Sequence, residues 1–252
     1  MTYHSPAKST DSKRIDDRVA SDFDNLVYHI SHDFRASVRA LRELPAWVLD
    51  DLGAAEVTVP DQVVEYFDLM RIQTDRLDQF LTDLLTYARI GRMQTTSVVN
   101  FSRVATDALQ EAVVAPGFEV STHLSVPNFE MMEKDLHTLL VALLSNAVKH
   151  HFSTSGKIEL SAKVLDNFVE ITVTDDGPGI EPVFQDSVFG LMTTLKPRDQ
   201  VEGSGLGLSI ARKICETYGG SLTLTSIPDH LGCRFIARIN MEKSSWSVDL
   251  SG

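Results

Sequence analysis

Three short segments in the second half of the chain contain the residues best suited to binding a nucleotide. They are Asn146-Ala147-Val148-Lys149-His150, Asp175-Asp176-Gly177-Pro178-Gly179 and Gly203-Ser204-Gly205-Leu206-Gly207-Leu208. An amide, two basic side chains, a carboxylate and closely spaced glycines can together hold a metal ion, phosphates and a base. In this order along the chain, the three segments predict an ATP site.

The first segment could hold Mg²⁺ and phosphates. Asn146 lies near the end of an apolar helical pattern, and Mg²⁺ takes few protein ligands because it keeps waters and phosphate oxygens. Lys149 and His150 lie within a turn of Asn146 and could contact the phosphates. A simpler interpretation remains open, in which Asn146 only caps the helix and both basic side chains are solvated.

The second and third segments suit a base and a phosphate chain. Asp175 follows a β-like run at residues 169–174, where its carboxylate can accept a hydrogen bond from the adenine amino group, and Gly177 and Gly179 would let the backbone approach the base. An ordinary Asp-Gly turn is the alternative. Gly203, Gly205 and Gly207 precede a predicted helix, whose N-terminus favours anions. No Gly-Lys-Ser/Thr follows, which excludes a P-loop.

A histidine far upstream is the candidate phosphoacceptor. Among the eight histidines, only His32 is followed by an acidic, an apolar and a basic residue, in Ser31-His32-Asp33-Phe34-Arg35. Helical geometry places His32 about 200° around the axis from Ile30, away from the apolar face. His29 is the local rival, and a solvated surface histidine is the alternative for either residue.

The upstream elements are predicted to form a helical hairpin. Helices are expected at residues 15–52 and 61–90, with a turn at 53–60, Gly53 near the first helix end and a bend or break at Pro45. The apolar positions recur at spacings of three and four. They are Phe23, Val27, Ile30, Phe34, Val38 and Leu41, then Phe67, Met70, Leu77, Leu81, Leu84 and Ala88. A homodimeric four-helix bundle would cover this surface; packing on the chain's own second domain is the alternative.

The rest of the chain predicts an α/β sandwich, so the fold class is α+β. Strands are expected at residues 97–100, 118–126, 157–164, 168–174, 221–226 and 234–239, with helices at 103–114, 133–150 and 206–218. Residues 177–205 would form a loop, and a loop of that length is usually functional or disordered. The predicted organisation is a disordered leader at 1–14, the hairpin at 15–92, an ATP-binding domain at 95–243 and a tail at 244–252.

Composition excludes several classes of protein. The chain has 252 residues with 35 acidic against 23 basic side chains, a formal charge of −12 that opposes nucleic-acid binding. No run approaches the ~20 apolar residues of a membrane span. The two cysteines, Cys215 and Cys233, make no disulfide framework, and a reducing cytoplasmic location is expected.

These segments resemble sequence motifs of the histidine-kinase branch of the ATPase superfamily, which also includes gyrase, heat-shock chaperones and mismatch-repair proteins. The segment around Asn146 resembles its N box, residues 175–179 and 203–208 resemble its two glycine boxes, and residues 31–35 resemble its H box. Residues 188–195 resemble the phenylalanine-containing part of the ATP lid, with Met192 where a second Phe is usual. Residues 196–199 are similar to the lid of phytochrome-like sensor kinases.

The resemblance implies a role for each matching position. His32 would accept the phosphoryl group and Asp33 would be the general base. The nucleotide would be ATP with Mg²⁺. Asn146 would bind Mg²⁺, and Asp175 would contact adenine, with Gly177 and Gly179 beside the base. The implied phosphate contacts are Lys149, His150, Lys196 and Arg198. The residues implied in the closing lid are Gly203, Gly205, Gly207 and Leu208.

The implied protein is an autophosphorylating histidine kinase. It would act as a homodimer, pass the phosphoryl group to a response-regulator receiver domain and, if complete, take its input from a separate sensor protein. Ala36 replaces a residue that could position water for phosphatase activity, and Ala142 replaces the water-activating Glu of the superfamily's hydrolases. A histidine phosphotransferase and a catalytically silent ATP-binding module are the alternatives.

Overall fold

The computed structural model describes residues 7–92, 95–112, 117–195, 203–226 and 232–242, with side chains described from residue 25 onward. The chain divides into two compact units, Met1–Arg89 and Ile90–Gly252. None of the helices within the described ranges combines the length and the apolar run that crossing a bilayer requires.

The first unit is a hairpin of two long helices, α1 at Ala7–Ala54 and α2 at Asp61–Arg89. Helix α1 begins at Ala7, so residues 7–14 of the predicted disordered leader are helical. Pro45 lies inside α1 and is buried, and the helix continues past it, so of the predicted bend or break the break is wrong. A proline removes one backbone hydrogen bond from a helix, and the buried ring contributes apolar packing in return.

Helix α1 ends in a Schellman motif. The Val57 N–H donates to the Leu52 carbonyl at 2.9 Å, and the Glu56 N–H donates to the Gly53 carbonyl at 3.0 Å. The left-handed residue of the motif is Glu56, with φ of 54°, whereas Gly53 lies within the helix. A non-glycine residue therefore takes the strained position at this turn.

The apolar positions of α1 lie on two neighbouring faces, not on the single face predicted from spacing. Val27 and Val38 are buried within the hairpin, together with Ser31, whereas Ile30, Phe34 and Leu41 are exposed. On α2, the buried residues are Leu81, Leu85 and Ala88. Met70 and Leu77, which were predicted to lie in the buried stripe, are exposed.

The described residues of the second unit form one main sheet and three α-helices. Its elements are β1 Ser97–Val99, α3 Phe101–Ala112, β2 Phe118–Ser125, β3 Phe129–Met131, α4 Glu133–Lys149, β4 Gly156–Leu165, β5 Phe168–Asp175, α5 Gly207–Thr217, β6 Ser221–Ser226 and β7 Cys233–Asn240. The five-stranded sheet has the order β2-β4-β5-β7-β6, in which only β2 and β4 pair in parallel. Strand β3, which pairs with β1, is too short to show an alternating pattern and was not predicted.

The core of this unit lies between the sheet and helices α3, α4 and α5. Inward residues of the central strands are buried, and residues between them are more exposed. The buried set is Ile158, Leu160, Ala162, Val169, Ile171, Val173, Phe235, Ala237 and Ile239. Helix α4 contributes five fully buried leucines, each worth about 2 kcal/mol on burial. This core fixes the end of α4 and the end of β5, which carry the predicted site residues, and confirms the predicted α+β class.

Candidate functional site

His32 is an exposed side chain on α1 that contacts its neighbouring carboxylate. Its Nδ1 lies 3.3 Å from Asp33 Oδ1, and the two side chains are 70% and 82% exposed. A carboxylate at Nδ1 favours the tautomer with the proton on that nitrogen, which leaves the Nε2 lone pair available to attack an electrophile. The His32–Asp33 pair therefore has the arrangement of a nucleophile with an acceptor behind it.

An aromatic ring one turn earlier packs beside His32. The Tyr28 ring stacks against the imidazole with centroids 6.4 Å apart and an interplanar angle of 24°. The Arg89 guanidinium lies over the Tyr28 ring, 5.0 Å from its centroid. The His32 ring therefore lies beside Tyr28, which in turn contacts Arg89 of α2.

The structure places Asn146 in the last turn of α4 and leaves its side chain available. Asn146 is half-buried; its backbone carbonyl accepts a hydrogen bond from the N–H of His150, the C-cap residue, and its side-chain amide has no hydrogen bond to any residue in the described ranges. Side-chain capping, the simpler interpretation, is therefore not what Asn146 does here. Lys149 is exposed beside it and His150 is half-buried.

Asp175 is a buried carboxylate at the end of β5. Its Oδ1 accepts hydrogen bonds from the Gly177 N–H at 2.9 Å and the Cys233 N–H at 3.3 Å. Burial raises the pKa of the Asp175 carboxyl, and these two backbone donors oppose the rise. Both described bonds use Oδ1, so Oδ2 can accept from a ligand.

Glycines surround Asp175 because the backbone leaves no room for side chains. A Cβ at Gly177 would lie 2.8 Å from Asp175 Oδ1, and Gly179 has a left-handed φ of 72°. Gly232, which sequence reasoning missed, is more restricted: with φ of 145°, its Cβ would lie 2.1 Å from the Asp175 carbonyl oxygen. Gly232 directly precedes β7, far along the chain from Asp175, and no motif in the sequence marks it as a neighbour of that carboxylate.

The second glycine segment leads directly into α5. Gly207 begins the helix, Leu208 follows in the first turn, and that turn has N–H groups without partners inside the helix. Gly205 has φ of 75°, and a Cβ there would lie 3.0 Å from the Met192 carbonyl carbon. Gly203 is exposed, with open space around its Cβ position. The structure thus brings Gly205 against the predicted lid segment.

The lid segment is anchored by one buried phenylalanine. Two short 3₁₀ turns, Pro182–Phe184 and Ser187–Phe189, lie between β5 and α5. Phe189 is buried, meets Phe235 edge-on at 6.4 Å and lies beneath the Arg212 guanidinium at 5.9 Å. Met192 has a left-handed φ of 59°. Lys196 and Arg198, the other predicted phosphate contacts, lie outside the described residues.

Neither cysteine is suited to chemistry. Burial raises the pKa of Cys215 to about 12 and that of Cys233 to about 12, so both stay protonated and are packed in the core. This agrees with their interpretation from sequence as core residues.

Known proteins are similar in sequence to both units of the chain. Residues 131–243 match the family described as histidine kinase-, DNA gyrase B- and HSP90-like ATPase. Over 78% of its length, the chain is 27% identical to cyanobacterial phytochrome A of a Nostoc species; over 96%, it is 24% identical to the adaptive-response sensory kinase SasA of Prochlorococcus marinus. These matches support a sensor histidine kinase catalytic core.

Further comparisons agree with the kinase core. A probable sensor histidine kinase of Mycobacterium tuberculosis is 32% identical over 62% of the chain. Among solved structures, full-length ShkA in complex with AMPPNP matches 85% of the chain with a TM-score of 0.64 and 22% identity, which shows the shared fold. The kinase core spans 28% of the phytochrome, 68% of the SasA relative and 42% of the mycobacterial relative.

Proposed function

We propose that the chain is an ATP-dependent histidine kinase that phosphorylates His32 and transfers the phosphoryl group to an Asp of a response-regulator receiver domain. One observation carries the proposal: the exposed His32 faces a carboxylate through Nδ1, in a chain whose other unit has a histidine-kinase-like ATPase domain. The receiver-domain acceptor is what the resemblance to histidine kinases implies.

The described residues fit a nucleotide with Mg²⁺. Asp175 Oδ2 would accept from the adenine amino group, and Gly177 would let the base lie against the backbone. The half-buried amide of Asn146, which has no hydrogen-bond partner in the described part of the chain, would supply one oxygen ligand to Mg²⁺. Bound Mg²⁺ neutralises charge on the phosphates. Lys149 and His150, with Lys196 and Arg198, would contact the phosphates.

His32 would act as the nucleophile through Nε2. The Nε2 lone pair forms the N–P bond to the γ-phosphorus, while the bond to the β–γ bridging oxygen breaks and ADP leaves with that electron pair. The positive charge that develops on the imidazole is stabilised by the Asp33 carboxylate, which accepts a hydrogen bond from the Nδ1–H group. In the second step, a receiver-domain carboxylate oxygen attacks the phosphorus, the N–P bond breaks, and neutral His32 is restored.

The chain favours transfer over hydrolysis. Ala142, in α4 one turn before Asn146, offers no carboxylate to activate water. Ala36 on α1 likewise offers no side-chain acceptor for a water near His32. We therefore expect weak ATP hydrolysis and weak phosphatase activity towards the regulator.

A homodimer would cover the exposed apolar row of α1. Its large exposed residues are Leu26, Ile30, Phe34, Leu41, Leu44 and Val48. Their spacings of three, four and seven residues place them on one face of the helix, beside the buried hairpin seam. Sedimentation should show a dimer that Leu41→Glu with Leu44→Glu converts to a monomer, whereas Ala46→Glu, exposed on the far side of α1, leaves the dimer intact.

Labelling with γ-³²P ATP and Mg²⁺ tests the kinase activity. The wild type should gain acid-labile, base-stable label; His32→Ala should gain none, and His29→Ala should retain it. ATP binding without label on the wild type would instead support a silent module. Label acquired only from a phosphorylated receiver domain would support a phosphotransferase. A kinase that needs a separate sensor protein would gain label when that input is supplied.

A further inference from the structure

His151 is a buried histidine that the proposed chemistry does not use. Its side chain is 2% exposed, and its Nε2 lies 3.1 Å from Asp176 Oδ1. On the other side of the ring, Nδ1 lies 3.1 Å from the Ser153 N–H donor and 3.2 Å from the Ser153 carbonyl oxygen. We propose that His151 is a positioning residue that holds Asp176, and through it the turn presenting Asp175 to the adenine base.

Packing fixes the imidazole in this orientation. Phe152 stacks on it with centroids 4.6 Å apart at 24°, and Phe118 meets it edge-on at 5.3 Å and 86°. Gly156 makes room for the hydrogen-bonded pair, because a Cβ there would lie 2.6 Å from His151 Nε2 and 2.8 Å from Asp176 Oδ1. The ring therefore has little freedom to leave Asp176.

Asp176 in turn fixes the backbone next to the base-binding carboxylate. Its Oδ1 accepts the Lys157 N–H at 2.7 Å, and its own N–H donates to the Lys157 carbonyl at 3.3 Å. Although burial opposes ionisation, the bonds from Lys157 and His151 lower the pKa of the Asp176 carboxyl, so it is an anion that both donors stabilise. The side chain of Asp176 thus ties the β5 end to the start of β4.

The effect on Asp175 follows from the chain path. Asp175 Oδ1 is held by the N–H of Gly177, two residues along, with Asp176 between them. Any movement of Asp176 therefore shifts both the Asp175 backbone and the N–H that orients its carboxylate. His151 follows the N-box residues at the end of α4, so this contact links the segment proposed to bind phosphate with the segment proposed to bind the base.

Base selectivity distinguishes positioning from general support of the fold. Adenine carries an amino group where guanine carries a carbonyl oxygen, so a correctly held Asp175 carboxylate should favour ATP over GTP. Isothermal titration of the full chain with Mg²⁺ and each nucleotide should show that His151→Phe, which keeps an aromatic ring, lowers the ATP-to-GTP affinity ratio about tenfold, on the scale of one charge-assisted hydrogen bond. His151→Gln, which keeps a donor near the Nε2 position, should retain most of the ratio.

A second variant changes Asp176, the more exposed residue of the pair. Asp176→Ala should lower the ratio at least as much as His151→Phe, because it removes the acceptor of the Lys157 N–H as well as that of His151. The double variant His151→Phe with Asp176→Ala should lower the ratio no further than Asp176→Ala alone, since the contact with His151 is already lost. The inference rests on the proposed function. A wild type that does not bind ATP would overturn both. A wild type that prefers ATP, with the same ratio in His151→Phe and Asp176→Ala, would overturn this inference alone.

Discussion

Replacing Tyr218 by Phe should destabilise the kinase core in a pH-dependent way. The Tyr218 hydroxyl donates to Asp135 Oδ2 at 2.8 Å, and the Gly91 N–H donates to the same oxygen at 3.1 Å. Burial raises the pKa of the Asp135 carboxyl, and these donors oppose the rise. Tyr218 is only 4% exposed, so water has little access to replace its hydroxyl.

The magnitude depends on the charge of Asp135. Because the pKa of Asp135 is raised in the folded protein, the folded protein holds the proton more tightly than the unfolded chain. Stability therefore falls as pH rises from the unfolded pKa of Asp135 through its folded pKa. Tyr218→Phe removes a donor that favours the ionised form and so raises the pKa further. The loss should be about 2 kcal/mol at pH values above the raised pKa, where the carboxyl is ionised and the bond is charge-assisted, and about 1 kcal/mol at pH values below it, where the carboxyl is protonated.

Hydrogen exchange of α4 peptides in the full chain, followed by mass spectrometry, measures this loss at pH 7.5 and at pH 4. Rates are corrected for the intrinsic effect of pH. The control is the same substitution in an Asp135→Asn background, where the cost should be about 1 kcal/mol at both pH values. An equal loss at both pH values in the wild-type background would refute the electrostatic reasoning.

Three other changes have clear expected outcomes. Glu56→Gly should raise the melting temperature of the hairpin by relieving φ of 54°, a gain of about 0.5–1 kcal/mol; no gain in circular-dichroism melting would contradict the strain. Gly232→Ala should weaken ATP binding in titration calorimetry and lower the melting temperature, whereas Gly203→Ala, with open space at its Cβ, should leave the melting temperature unchanged; equal melting effects would refute the reasoning. The pKa of Glu170 is lowered mainly by its hydrogen bond to Arg238, so this bond should stabilise wild type over Glu170→Gln by about 1 kcal/mol, and the advantage should be lost as pH falls through the lowered pKa. Denaturation midpoints of the two proteins that differ equally at all pH values would contradict this.

Local patterns explain why much of the catalytic unit could be predicted. Five leucines of α4 repeat at helical spacing and are all buried, so the helix and its inner face follow from sequence. Asp175 stands directly after an apolar strand and lies at that strand's end in the structure. In both cases, one short stretch contains the pattern and the functional residue together.

Long-range contacts explain what sequence could not provide. Ile30 and Val38 fit the same helical spacing, yet one is exposed and the other is buried, because spacing alone does not tell which partner covers a face. Gly232 and Asp175 are far apart in sequence, and their close approach exists only once β5 and β7 pair. The contact between His151 and Asp176 likewise needs the folded sheet.

The measurement that most directly tests the central claim is assignment of the phosphorylated atom. The protein is incubated with ATP and Mg²⁺, and the phosphohistidine isomer is identified by ³¹P NMR after the site is located by mass spectrometry under basic conditions. Because Asp33 occupies Nδ1, we predict that the phosphorus is bonded to Nε2 of His32. Phosphorus on Nδ1 of His32, or on another residue, would contradict it.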